Sequence, residues 1–70
     1  MNIEESLRVV TREADPYAQA YAVVALDCWK EWSDDARKHQ LLYVLDNLQS
    51  WRGQTARDCK VIIRDWIRTH

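Results

Sequence analysis

Seventy residues hold one proline and one glycine, and each sits where a helix would start or stop. Asp15-Pro16 reads as a helix start, because Asp is a favoured cap and a proline loses nothing at the first helical position. Gly53 follows Trp51-Arg52 and reads as the left-handed residue just past a helix C-terminus. With so few strong breakers and abundant helix formers, the chain has few places to turn. An all-α fold follows: one domain over residues 1–70, a small bundle of three to four helices.

Apolar spacing fills in the segments. Asn2-x-x-Glu5 resembles a capping signal, and Ile3, Leu7 and Val10 then recur at helical spacing, predicting a first helix over about 3–14. The second should run from Pro16 to about residue 32. Ser33-Asp34-Asp35 suits a third helix start, with carboxylates at the positive end of the helix dipole. That helix is expected to reach about Arg52, with Leu41, Val44, Leu45, Leu48 and Trp51 on its inner face. Thr55-x-x-Asp58 resembles a cap for a fourth helix over about 56–68, burying Cys59, Ile62, Ile63, Trp66 and Ile67.

The second helix is unusual. Gln19, Asp27, Lys30 and Glu31 fill about a third of its perimeter at about 100° per residue, and the rest is apolar. Tyr17, Tyr21, Val24, Cys28 and Trp32 form one stripe, and Ala18, Ala22, Ala25 and Trp29 form a second beside it. An ordinary surface helix buries one stripe. Either the other three helices cover both, or a second copy of the chain covers what is left. The expectation is a homodimer with Tyr17, Tyr21, Val24, Cys28, Trp29 and Trp32 at its interface. Size points the same way, since a chain this short buries only about 60% of its unfolded surface and needs a staple. Cys28 and Cys59 follow no secretory h-region, which predicts a reduced, cytoplasmic protein without a disulfide. The longest apolar run, Ala20 to Leu26, is far short of the roughly 20 residues of a membrane span.

Most chemistry finds no motif. Cys28, Cys59, His39 and His70 are scattered, without the spacing of a metal site. No nucleophile stands beside a base, and a lone glycine makes no phosphate loop, so neither enzyme nor cofactor is expected. Charge is divided: residues 1–35 carry three basic and eight acidic side chains, residues 51–70 five basic and two acidic. Arg57, Lys60, Arg64 and Arg68 line one face of the fourth helix. They suit an acidic partner, or DNA in a small regulator. Aligning a helix-turn-helix on Gly53 puts Gln49 at the position for a small residue and polar residues around the turn. With a net charge of −1, DNA binding is the weaker reading. On the third helix Tyr43 leaves the apolar face and joins His39, Leu42 and Asp46, a pattern that fits an interface anchor. The residues thus point to a protein-binding module.

The segment Leu41 to Ile63 contains Tyr43, Leu45, Asn47, Leu48, Trp51, Arg52, Gly53, Ala56 and Arg57 in the pattern Y-[VI]-L-x-N-L-x-x-W-R-G-x-x-A-R. With "DPYAQAYAVVAL" upstream, it resembles small phage-encoded host-takeover proteins of the quorum-sensing anti-activator kind. The resemblance covers roughly half the chain and its motif is mostly structural. It implies a helical dimer that binds and inhibits host proteins, among them a LuxR-type transcription regulator and a pilus-assembly ATPase. Arg52 and Arg57 are expected to clamp the turn by holding carboxylates or helix-end carbonyls.

Overall fold

The computed structural model describes residues 1–70 and is all-helical: α1 Ile3–Glu13, α2 Pro16–Cys28, α3 Asp34–Asp46 and α4 Gln54–Thr69. The first three starts form as their sequences dictate. The Glu5 amide donates to the Asn2 side chain at 2.8 Å while the Asn2 amide donates to Glu5 at 3.2 Å, a complete capping box. Asp15 accepts from the Ala18 amide and Ser33 from the Ala36 amide, each at 3.2 Å. These bonds satisfy amides that have no partner inside the helix. The Gln19 side chain donates to the Ala14 carbonyl at 2.8 Å and braces the corner between α1 and α2.

The fourth start corrects the reading of Gly53. This residue is the N-cap of α4, with φ 110°, and the Arg57 amide bonds its carbonyl at 3.1 Å. The positive φ expected after a helix is used before one, in an extended conformation with ψ 173°. No Thr55–Asp58 box forms; Asp58 instead accepts from the Gln54 side chain at 2.9 Å.

Two helices end early. α2 stops at Cys28 rather than Trp32, and residues 29–31 turn. Trp29, the C-cap, keeps helical backbone angles and carries the inner stripe on into the interior, where it meets Trp66 edge-on at 5.0 Å. Arg37 donates to the Trp29 carbonyl at 2.6 Å, lies 5.0 Å from the Trp29 ring and pairs with Asp34 at 3.1 Å. A side chain from α3 thus holds a carbonyl that a longer α2 would have used. α3 stops at Asp46 rather than Arg52. Asn47 caps it, its side chain donating to the Tyr43 carbonyl at 2.9 Å. Leu48 and Trp51 still pack inward from the connection that follows.

The four helices form a ring. α1 packs on α2 and α4, and α3 packs on the same two from the other side. The centre holds Leu7 and Val10 from α1, Ala18, Ala22 and Ala25 from α2, Leu41 and Val44 from α3, and Cys59 and Ile63 from α4. Alanines on α2 let its neighbours approach closely. The radius of gyration is 10.6 Å, against about 11 Å for a compact chain of this length. The core therefore closes within one chain. No helix is long and apolar enough to cross a membrane.

Candidate binding surfaces

The two stripes of α2 have opposite fates. Ala18, Ala22 and Ala25 are fully buried and Trp29 is 7% exposed. Trp29 is therefore core and cannot belong to a dimer interface, because Trp66 and Arg37 already cover it. Tyr17 is 75% exposed, Tyr21 37% and Val24 43%. Cys28 and Trp32 are half-buried at the end of this outer stripe.

α3 carries the second expected surface. His39, Leu42, Tyr43 and Asp46 are all exposed and fall within about 100° of its perimeter. The structure joins this arc to both neighbouring helices. On the α2 side, the Tyr43 ring stacks on Tyr21 with centroids 5.5 Å apart and planes at 16°. Gln40 donates to the Tyr21 carbonyl at 2.9 Å beside it. On the α4 side, Leu42, Leu45, Asp46 and Gln49 face Arg64 across an open hollow of about 230 Å³. Arg64 also borders a second hollow of about 410 Å³ with Val61, Asp65 and Arg68.

The basic stripe of α4 is less free than its spacing implies. Lys60 is half-buried and donates to the Trp51 carbonyl at 2.7 Å, the helix-clamping role expected of Arg52 and Arg57. Those two arginines make no side-chain hydrogen bond or ion pair, which overturns the expected clamp. Arg68 pairs with Asp65. Arg57 and Arg64 remain as unpaired, exposed cations. Val61, 61% exposed, projects between the arginines and the aspartates. Its position was visible in the sequence as an apolar residue on a charged face, yet it was not among the expected contacts. Arg37 and Gln40, which tie α3 to the α2 end of the bundle, gave no such signal.

Cys59 is fully buried, its thiol donating toward the Ser6 carbonyl at 3.8 Å. Burial pushes the thiol above its ordinary range, and the carboxylates of Asp58 and Glu13 add to that, while the Ser6 side chain works against it. Cys59 and Cys28 are both free. His39 and His70 are exposed, and His70 stacks on Trp66 at 4.0 Å. No group of three or more His, Cys, Asp or Glu converges.

The residues that carry the phage-protein resemblance lie at the α3–α4 connection. Asn47 caps α3, Leu48 and Ala56 are buried, and Gly53 starts α4. Comparison with protein families, curated proteins and solved structures finds no match.

Proposed function

We propose that the chain is a small non-enzymatic binding module that docks on another protein and blocks it, and that two copies pair through the outer stripe of α2. The observation that carries the reading is continuity. Leu42 and Asp46, which share the α3 arc with His39 and Tyr43, border one open hollow with Arg64 on α4, and Leu42 is half exposed. Exposed aliphatic and aromatic side chains beside unpaired arginines fit a surface where a few anchors supply most of the affinity. The phage-protein resemblance supports the same class and suggests a host transcription regulator of the LuxR type, or a pilus-assembly ATPase, as the target inside the host cell. Occupying such a protein stoichiometrically would inhibit it without chemistry.

The test is retention on immobilised protein, with wild type compared to Leu42→Asp and Tyr43→Ala. Both positions are exposed, so both variants are expected to keep wild-type helicity. One cellular protein should be retained in stoichiometric amount by the wild type and lost by both variants. Retention indifferent to these changes rejects the surface. A DNA shift with a steep inverse dependence on salt would instead favour a regulator acting through Arg57 and Arg64.

A further inference from the structure

The outer stripe of α2 steps by four, three and four residues through Tyr17, Tyr21, Val24 and Cys28. Helices meet along a seam with this spacing. Tyr43 widens the seam on its α3 side by stacking on Tyr21, and the Gln40 bond to the Tyr21 carbonyl holds the two helices together there. α2 has one charged side chain, Asp27, and it lies off the stripe. The face therefore offers a charged partner nothing to recognise. What fits is another uncharged aromatic stripe with the same step, and this chain supplies one.

Area sets the strength. At their observed exposures, the three tyrosines and Val24 offer roughly 300–500 Å² per copy, taking about 150–250 Å² for an aromatic side chain. Two copies then bury roughly 600–1,000 Å², short of the about 1,200–2,000 Å² of stable specific interfaces and in the range of weak, transient pairs. Orientation follows from charge. A parallel pair would set Asp27 beside the partner's Asp27 and align both helix dipoles. An antiparallel pair opposes the dipoles and sets Asp27 across from the uncharged Ala18–Ala20 stretch.

We propose that α2 packs antiparallel on α2 of a second copy, about a two-fold axis between Tyr21 and Val24, with Tyr43 flanking the seam. This rests on the self-association proposed above and gives it a geometry. Tyr17 then faces the partner's Cys28. In a parallel pair Cys28 would face the partner's Cys28. Positions 17 and 28 lie about 16 Å apart along one helix, so they cannot join within a chain.

The experiment is mild oxidation of the full-length Tyr17→Cys variant, with peptide mapping of the bonds formed, alongside sedimentation of the wild type. The expected product links position 17 of one copy to Cys28 of the other. The wild type should associate with a Kd of about 10 µM to 1 mM. Val24→Asp should weaken that at least about tenfold with helicity unchanged. A bond between the two Cys28 residues overturns the antiparallel geometry and leaves dimerisation standing. No cross-link from the Tyr17→Cys variant, when that variant still dimerises in sedimentation, means that another face pairs. No association at any concentration overturns both this geometry and the self-association, while leaving target retention to be judged by its own assay.

Discussion

The inner and outer stripes of α2 are both apolar and lie side by side along one helix, yet one is core and the other is surface. The inner stripe is built from alanines and ends in Trp29. The outer stripe is built from two tyrosines and a valine. Trp29 apart, the bundle hides the small side chains of the helix and exposes the bulkier ones. The reason is distance. Alanines let α1 and α3 close onto α2, so that Leu7, Val10, Leu41 and Val44 fill the centre. Tyrosines there would hold the helices apart, while at the surface their hydroxyls reach water.

The comparison can be broken most severely at Trp29. Trp29→Ala should cost about 3–5 kcal/mol in denaturant unfolding, since it empties a site walled by Trp66 and Arg37. A loss below about 1 kcal/mol would mean that this end of the inner stripe is not core. Next comes Ala22→Leu, which forces extra methyl groups between packed helices and should destabilise by about 1–3 kcal/mol. The same enlargement on the outer side, Val24→Leu, should stay within about 0.5 kcal/mol. If the two enlargements cost the same, the stripes are not distinguished by packing.

The cysteines extend the contrast to chemistry. Cys28 should react with a thiol reagent in the native protein, and Cys59 only on unfolding. Cys59 also gives stability a pH dependence. Its folded pKa is raised, so the native state keeps the proton while the unfolded thiol loses it above about pH 8.5. The native state then binds more protons, and its stability falls as pH rises through that range. Melting wild type and Cys59→Ala in parallel isolates the effect: the gap between them should narrow on the alkaline side. The smallest effect on the fold is expected for Tyr17→Ser, within about 0.5 kcal/mol, because Tyr17 is three-quarters exposed. Its consequence should appear only in self-association.

Sequence alone determined where the first three helices begin. Asn2, Asp15 and Ser33 each bond an amide three residues on, so the signal and its satisfaction lie in one short segment. It also gave the helical class and the α3 arc of His39, Leu42, Tyr43 and Asp46, because 3.6-residue periodicity is local. Tertiary structure decided the rest. α2 ends where Arg37 takes the Trp29 carbonyl, and the connection before Gly53 is held by Lys60 on the Trp51 carbonyl. Those partners lie eight and nine residues away, beyond the reach of a capping rule. The same holds for the placement of Tyr43 on Tyr21 and for the choice of the inner stripe. Both depend on which helices pack together, and therefore on side chains far apart in the chain.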